Sequence, residues 1–192
     1  MRLVLLGAPG SGKGTQAARL KEHLQVPHIS TGDLLRAAVA AGTPLGLQAK
    51  AVMDAGQLVS DEIVLGMLEE RLGRDDTGNG FILDGYPRNL VQANALDALL
   101  DRIGQPADIA VQLDVDTELL IERLAGRALA EGRADDTPET VRNRQKVYHE
   151  ATAPVIEFYR NSGRLAVVNG VGSLDDVFAR IIEVLAPTPE VG

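Results

Sequence analysis

The chain has 192 residues and no cysteine, and its 19 basic and 27 acidic side chains give a formal net charge of −8. This length suits a single domain. The lack of cysteine excludes disulfides, thiolate metal sites and cysteine nucleophiles, and the negative charge argues against a general nucleic-acid binder. No apolar run approaches membrane-spanning length and no signal-peptide pattern precedes the first strand, so we expect a cytoplasmic protein.

A glycine-rich stretch, residues 7–15, follows the apolar run 3–6 and leads into a helical pattern that extends to Leu24. Glycines let the backbone curl so that several N–H groups point at one anion, and the N-terminus of the following helix adds partial positive charge. Lys13 adds a full charge at the helix start, where a lysine without an anion would oppose the helix dipole. The stretch therefore predicts a phosphate-binding loop, or P-loop.

The spacing within this loop narrows the kind of protein. Four residues separate Gly7 from the pair Gly12-Lys13, as in P-loop nucleotide-binding proteins. Most P-loops have serine or threonine directly after the lysine to bind magnesium, whereas here Gly14 takes that place and Thr15 follows it. This difference argues against a switch GTPase.

The region 31–72 contains three helical patterns in succession, preceded by one short extended segment at 28–30. A plain alternation of strand and helix would not place three helices in a row. We therefore interpret residues 30–59 as a helical insertion in a parallel-sheet domain. The residues that can cap these helices are Ser30 or Thr31, then Thr43 before Pro44, then Ser60 or Asp61.

The buried strand predicted at 80–84 ends in Asp84, at the edge of the sheet where ligands bind in open α/β folds. In a P-loop protein, an aspartate there can hold magnesium directly or through water. The turn 85–88 follows this strand, and Asn89 can cap a helix that extends to about Arg102.

The second half of the chain continues with strand 108–114, a helix that ends at about Gly126, strand 165–168 and a final helix capped by Ser173. Residues 126–136 are polar and short of large apolar side chains, which predicts an exposed, mobile loop. The sum is an α/β fold in which five strands alternate with helices, a doubly wound parallel sheet.

One further break is expected within the helix that begins at Thr137-Pro138. Pro154 lies in its pattern, and proline lacks the N–H that a helix interior needs. The helix should therefore kink or break near Ala153.

Taken together, these motifs resemble the adenylate kinase family over nearly the whole chain. The resemblance implies one P-loop kinase domain over 1–192, with an insertion at 30–59 that binds a nucleoside monophosphate and a short lid at 126–136. Many bacterial members have a longer lid, often with zinc ligands, so a short lid without cysteine leads us to expect no zinc. The residues that carry the resemblance are Gly-Ala-Pro-Gly-Ser-Gly-Lys-Gly-Thr at 7–15, Ser-Thr-Gly-Asp-Leu-Leu-Arg at 30–36, Asp-Gly-Tyr-Pro-Arg at 84–88, Gln92, Arg123, Arg127, Arg133, Asp135, Asp136 and Arg144.

The resemblance also implies a reaction, the reversible transfer of the terminal phosphoryl group of ATP to AMP, giving two ADP, with Mg²⁺ bound together with ATP. The catalytic residues implied are Lys13, Arg88, Arg123, Arg133 and Arg144. Those implied to bind ATP are Gly10, Ser11, Gly12, Lys13, Gly14, Thr15, Arg123, Arg127 and Gly172. Those implied to bind AMP are Thr31, Arg36, Gln57, Leu58, Val59, Gly85, Tyr86, Pro87, Arg88, Gln92, Arg133 and Arg144. Asp84 and Asp33 would position magnesium through water, with no direct protein ligand.

The residue types suit this chemistry. The acceptor is a phosphate oxygen, mostly ionised at neutral pH, so no general base is needed. Two polyanions must instead be held together, and arginine binds phosphate through two parallel hydrogen bonds. We expect a monomer with no nucleic-acid or membrane partner. Three histidines, which show no ligand spacing, are interpreted as surface or packing residues: His23, His28 and His149.

Two alternative functions stay open at this point. The first is a UMP/CMP kinase of the same fold, although Thr31 and Gln92 favour adenine over a pyrimidine. The second is a non-catalytic nucleotide sensor that binds ATP and a partner protein. Such a sensor should lack the second set of phosphate-binding arginines, which this chain has.

Overall fold

The computed structural model of this chain describes residues 1–132 and 137–186. The strands are β1 Arg2–Leu6, β2 His28–Ser30, β3 Phe81–Asp84, β4 Ile109–Asp114 and β5 Leu165–Asn169. The helices are α1 Lys13–Leu24, α2 Thr31–Ala40, α3 Pro44–Asp54, α4 Asp61–Leu72, α5 Leu90–Arg102, α6 Thr117–Glu131, α7 Pro138–Val147, α8 Ala153–Asn161 and α9 Leu174–Leu185. A 3₁₀ turn at Asp75–Thr77 and a π-helical turn at Tyr148–Thr152 complete the described elements.

The five strands form one sheet in the order β2-β3-β1-β4-β5, and all neighbouring strands are parallel. The chain first winds to one side of β1 and then, from β4 onward, to the other side. This reversal leaves a crevice at the carboxyl end of β1, which is where open α/β sheets bind ligands. The predicted doubly wound, five-stranded parallel sheet is confirmed.

Helices cover both faces of the sheet because successive side chains of a strand point to opposite faces. In β1, Leu3 and Leu5 pack into an apolar cluster with α1 and α9. Val4 and Leu6 pack into a second cluster, with α4, α5 and α8. All four side chains are almost fully buried. Because β1 is packed on both faces, the P-loop that follows it directly has a fixed position.

Most of the predicted helix starts are capped as expected. In each case a side-chain oxygen accepts a hydrogen bond from a backbone N–H of the first turn, an interaction worth about 1 kcal/mol. The residues that cap in this way are Ser30, Thr43, Asn89, Thr137 and Ser173. Pro154 also acts as predicted, since the π-helical turn 148–152 interrupts the long helical segment directly before α8.

The prediction of a loop beginning at residue 126 is wrong for its first half. Helix α6 extends through Glu131 and ends at Gly132, which has the left-handed conformation with φ 60°. The polar sequence with few large apolar residues indicates a loop, and in the structure the one leucine of the turn, Leu129, is 90% exposed. Alanine, leucine, arginine and glutamate have high helix propensity, so this turn forms without an apolar face to pack. Within the described ranges, no helix has the length and apolar character needed to cross a bilayer.

Candidate active site

The carboxyl edge of the sheet opens into a cavity of about 1040 Å³, lined by the P-loop, the turn 85–88, helices α6 and α7, and the turn after β5. A smaller cavity of about 60 Å³ lies against the insertion. Arg36, Arg88 and Arg144 line both cavities. The larger volume is at the upper end of the range for ligand pockets, roughly 300–1,000 Å³. Three arginines at the junction make it suited to anionic ligands.

The P-loop turns sharply between β1 and α1. Gly12 precedes the first residue of α1 with φ 96°, a left-handed conformation that glycine adopts without steric cost. Glycine has no side chain that could accept hydrogen bonds from the N–H groups of the first helical turn. Those N–H groups and the helix dipole therefore favour an anion in the cavity that Gly12 and Lys13 line.

The side chain of Lys13 lies across this loop. Its Nζ donates hydrogen bonds to the carbonyl oxygens of Gly7, at 2.8 Å, and Ala8, at 3.3 Å. The pKa of Lys13 is lowered from 10.5 to about 8, chiefly by burial; the charges of Arg88 and Arg127 contribute to this lowering, while the charge of Asp84 opposes it. The surroundings thus disfavour a positive charge that a bound phosphate would favour.

Asp84 lies at the carboxyl end of β3, beside the P-loop and His28. His28 Nε2 is 3.2 Å from Asp84 Oδ2, and both side chains are largely buried. Burial alone would raise the pKa of Asp84, but the His28 hydrogen bond and the charges of Lys13, His28 and Arg88 outweigh it and hold that pKa below its usual value. The carboxylate is therefore kept ionised.

His28 is a site residue that the sequence analysis did not identify. It was interpreted as a surface or packing residue, yet it lines the large cavity and contacts Asp84. No local signal could have found it. The contact depends on β2 pairing with β3, which sets His28 opposite Ile82.

The turn after β3 and the start of α2 hold the residues at the junction of the two cavities. Arg88 Nε donates a hydrogen bond to Gly85 O at 2.8 Å, and Thr31 Oγ1 donates to the same oxygen at 3.0 Å. Arg36 forms an ion pair with Asp33, with 2.5 Å between Nη2 and Oδ1. These contacts hold the guanidinium groups of Arg36 and Arg88 at the junction, since both residues line the two cavities.

Gln92 is buried at the back of the small cavity, and both ends of its amide are engaged. Its Oε1 accepts a hydrogen bond from the Arg88 backbone N–H at 2.7 Å, and its Nε2 donates to Asp61 Oδ1 at 2.9 Å. Asp61 was predicted only as a possible helix cap, so this contact is a second one that the sequence did not indicate.

On the other side of the P-loop, Arg123 joins two segments of backbone. Its guanidinium donates to Ser11 O at 3.3 Å and to Gly170 O at 3.1 Å. The first carbonyl belongs to the P-loop and the second to the turn after β5. Arg127, one helical turn further along α6, and Gly172 line the same cavity.

Side chains of helix α7 and of the π-helical turn form hydrogen bonds with the backbone of several other parts of the site. Gln145 Nε2 donates to Pro9 O of the P-loop at 3.1 Å, and Thr152 Oγ1 donates to Arg88 O at 2.6 Å. At the end of α3, Thr140 Oγ1 donates to Asp54 O at 2.9 Å and Asn143 Nδ2 to Ala55 O at 2.5 Å. One helix thus contacts the P-loop and the insertion at the same time.

The structure brings together the predicted site residues that it describes, since each of them lines one of the two cavities. Arg133, Asp135 and Asp136 lie outside the described residues, so their place stays a prediction. The residues on the large cavity are Gly10, Ser11, Gly12, Lys13, Gly14, Thr15, Asp33, Asp84, Tyr86, Pro87, Arg123, Arg127 and Gly172. Those on the small cavity are Thr31, Gln57, Val59 and Gln92, and those on both are Arg36, Leu58, Gly85, Arg88 and Arg144.

Comparison with known proteins agrees with this geometry. A family model described as adenylate kinase matches residues 5–164. An adenylate kinase of Xanthomonas campestris pv. campestris (strain 8004) is 71% identical over 185 residues, covering 96% of this chain and 99% of that protein. An adenylate kinase of Stenotrophomonas maltophilia (strain K279a) is 69% identical over 182 residues, covering 95% and 97%. Because the family model and these relatives cover most of its length, this chain belongs to the adenylate kinase family.

Proposed function

We propose that this chain catalyses the reversible transfer of the terminal phosphoryl group of ATP to AMP, giving two ADP. One observation carries this proposal: cations from two separate parts of the fold line one cavity. Lys13 and Arg123 lie on the P-loop side, and Arg36 and Arg88 lie on the insertion side. An enzyme that joins two nucleotide polyanions needs both sets, whereas a simple ATP-binding protein needs only the first.

The P-loop side is the proposed ATP site. The N–H groups of 10–15 and the ammonium of Lys13 would bind the phosphates, since they form an anion site at a helix N-terminus. Arg123 and Arg127 would bind the same phosphates from α6, and Gly172 would offer its backbone to the adenine. Hydrogen bonds to the carbonyl oxygens of Ser11 and Gly170 hold the Arg123 guanidinium beside the P-loop, which supports this assignment.

The insertion side is the proposed AMP site. Arg36 and Arg88 would bind the AMP phosphate at the junction of the cavities, and Gln92 would hydrogen-bond the adenine edge in the small cavity. Backbone groups of 57–59 and 85–87, with Thr31, would complete the pocket. Two observations support the assignment: most of these residues line the small cavity, and Tyr86 and Pro87 line the adjoining large one.

The reaction then follows from position and charge. An ionised oxygen of the AMP phosphate attacks the terminal phosphorus of ATP, a new P–O bond forms, and the bond to the bridging oxygen breaks, so that ADP leaves with the electron pair. Charge spreads over the transferring group, and arginines at the junction stabilise it. Arg144, which lines both cavities, suits this role, and Arg133 is proposed to act with it. No proton acceptor is needed.

Asp84 fits a magnesium ion that is held chiefly by the nucleotide. Magnesium keeps several waters and is usually bound through one or two carboxylates and the substrate phosphates. Asp84 supplies an ionised oxygen donor on the large cavity, whereas Asp33 is already paired with Arg36. Asp84 is therefore the favoured residue for water-mediated contact. When bound, magnesium neutralises charge on the phosphates.

The proposal includes two covering segments, the insertion at 30–59 and the lid at 126–136. Water competes with AMP as acceptor, so an enzyme of this kind must exclude it from the site during transfer. The placement of 56–59 along the small cavity and of 126–131 along the large one is consistent with such covers. The absence of zinc, the monomeric state and the cytoplasmic location stay predictions.

The acceptor is tested with a panel of monophosphates. In a coupled assay with ATP, we expect AMP to be used faster than CMP, UMP, GMP or dTMP, because the relatives are adenylate kinases and Gln92 can match adenine. The UMP/CMP alternative is accordingly not favoured. A higher kcat/KM for CMP or UMP than for AMP would contradict the substrate assignment.

Arg88→Ala tests catalysis against mere ATP binding. Turnover should fall roughly 10³-fold or more, as when a transition-state arginine is removed, while ATP affinity is retained. The matched control is Arg102→Ala, since Arg102 lies on the exposed surface in an ion pair with Glu69. If Arg88→Ala and Arg102→Ala had the same turnover, Arg88 would have no catalytic role and the chain would behave as a simple ATP-binding protein.

A further inference from the structure

We propose that Asp61 is a positioning residue that fixes the orientation of the Gln92 amide, and that this makes the acceptor site reject monophosphates of 6-oxopurines. The inference rests on the proposed function, in which Gln92 contacts the base of the acceptor nucleotide. Asp61 lines neither of the two cavities, so it would act through Gln92 and not by contact with substrate.

Asp61 begins α4, and Gln92 lies in the first turn of α5. Oδ1 of Asp61 accepts hydrogen bonds from Gln92 Nε2, at 2.9 Å, and from Asn89 Nδ2, at 3.0 Å. Asn89 in turn caps α5 by accepting a hydrogen bond from the Gln92 backbone N–H at 2.8 Å. The carboxylate is therefore held at a defined place relative to the start of α5.

Each contact of the Gln92 side chain allows one orientation of the amide. An ionised carboxylate only accepts hydrogen bonds and a backbone N–H only donates them. A half-turn of the amide would set its oxygen against Asp61 and its NH₂ group against the Arg88 N–H. Both hydrogen bonds would then be lost and replaced by repulsion. Hydrogen bonds to charged groups are the stronger kind, so Asp61 contributes the larger share of this preference.

The fixed amide still has one free lone pair on Oε1 and one free hydrogen on Nε2. Gln92 is only 2% exposed and lines the small cavity, so these groups are available to a ligand there and not to bulk water. Adenine presents an amino donor beside the acceptor nitrogen N1, which matches an acceptor beside a donor. Hypoxanthine and guanine present the opposite order, a 6-oxo acceptor beside an N1–H donor. A fixed amide therefore pairs with adenine and opposes a 6-oxopurine.

Buried polar groups that are left unpaired or opposed give strong discrimination between substrates. Without Asp61 the amide would keep only its neutral hydrogen bond to Arg88 N–H. The reversed orientation would then become accessible, and in that orientation the amide matches hypoxanthine. Loss of Asp61 should thus change the choice of base more than it changes the overall rate.

The experiment compares kcat/KM for AMP and for inosine monophosphate, which differs from AMP only at the base edge in question. Asp61→Ala should lower the AMP:IMP ratio by about tenfold or more, the factor carried by one hydrogen bond to a charged group. Asp61→Asn should keep the ratio within a few-fold of the original, since its amide oxygen can accept both hydrogen bonds. A merely structural role would lower both kcat/KM values together, and an unchanged ratio in Asp61→Ala would overturn the inference.

Gln92→Leu separates this inference from the proposed function. If Gln92→Leu leaves the AMP:IMP ratio unchanged, Gln92 does not read the base and the proposed AMP site is wrong. If Gln92→Leu lowers the ratio and Asp61→Ala does not, only the role of Asp61 is overturned.

Should Asp61→Ala fail to fold, Asp61→Ser carries the same expectation, because a serine hydroxyl is too short to replace the carboxylate and is well tolerated at helix starts. An Asp61→Asn ratio as low as that of Asp61→Ala would also count against the inference.

Discussion

Burial disfavours the positive charge of Lys13, whereas a bound phosphate would favour it. Its pKa of about 8 is below the value of 10.5 for a free lysine, chiefly because the ammonium group is desolvated. Between these two pH values the unfolded chain binds more protons than the folded one, so stability should rise as pH increases from about 8 to 10.5. Below pH 8 the full cost of burying the charge remains.

Bound phosphate reverses this preference, which predicts coupling between ATP binding and protonation of Lys13. The charged form is favoured by the nucleotide, so at pH 8.5 ATP binding should take up protons, and above about pH 8 affinity should fall toward tenfold per pH unit. Calorimetry of ATP binding in two buffers of different ionisation enthalpy measures the uptake. Lys13→Met should bind ATP more weakly and without that uptake; equal proton uptake in Lys13→Met and the unaltered chain would contradict the assignment to Lys13.

At the scale of elements, the insertion depends on a close approach of α2 and α3. A Cβ built on Gly46 would lie 2.1 Å from the backbone oxygen of Ala38, so no side chain larger than hydrogen fits there without moving a helix. Because the obstacle is backbone and not a flexible side chain, the strain cannot be relieved locally. Gly46 is thus required for packing and not for its backbone conformation.

Gly46→Ala should lower the free energy of unfolding by about 1–3 kcal/mol, the usual cost of overpacking, and should raise KM for AMP because α2 carries Arg36. The matched control is Gly66→Ala in α4, where an added Cβ meets no atom within 4 Å. That variant should be neutral, or more stable by up to about 1 kcal/mol, because alanine favours helix over glycine. Urea unfolding measures both. If Gly46→Ala and Gly66→Ala had the same free energy of unfolding, α2 and α3 could move apart without loss of stability, which would contradict this prediction.

At the scale of the whole molecule, a chain of net charge −8 places six of its 19 lysines and arginines on one cavity, and α7 contacts several walls of that cavity. Its contacts with the insertion complete the end of α3. The last carbonyls of a helix have no intrahelical partner, and here those of Asp54 and Ala55 accept from Thr140 and Asn143. The insertion is thereby fastened to the helix that also contacts the P-loop.

Removing both contacts should loosen the insertion and weaken AMP binding. In Thr140→Val/Asn143→Ala we expect faster amide hydrogen exchange over residues 44–59 and a KM for AMP raised by about fivefold for each hydrogen bond, at about 1 kcal/mol apiece. Asn94→Ala is the control, since Asn94 donates to Leu90 O within α5 alone. Hydrogen-exchange mass spectrometry compares the two. Exchange over 44–59 that is the same in both variants would mean that α7 does not hold the insertion.

Local patterns were enough to predict the sheet, the P-loop and most helix starts. Ser173 and Asp176, for example, form a capping box between residues three apart, so the signal lies within one turn of the sequence. The end of α6 differs from the prediction because its last turn carries no large buried apolar side chain, and an apolar face is the main signal of a helix in a sequence. The high helix propensity of its residues favours that turn.

What the sequence determined by itself is therefore what short stretches of backbone can specify: an anion site at a glycine-rich turn, caps, and an acid at the end of a buried strand. The tertiary structure alone decided which distant side chains meet. His28 contacts Asp84 across 56 residues, Asp61 contacts Gln92 across 31, and Thr140 contacts Asp54 across 86. Hydrogen bonds act over about 3 Å, so partners this far apart along the chain are set by the packing of the sheet and its helices, which no single stretch of sequence encodes.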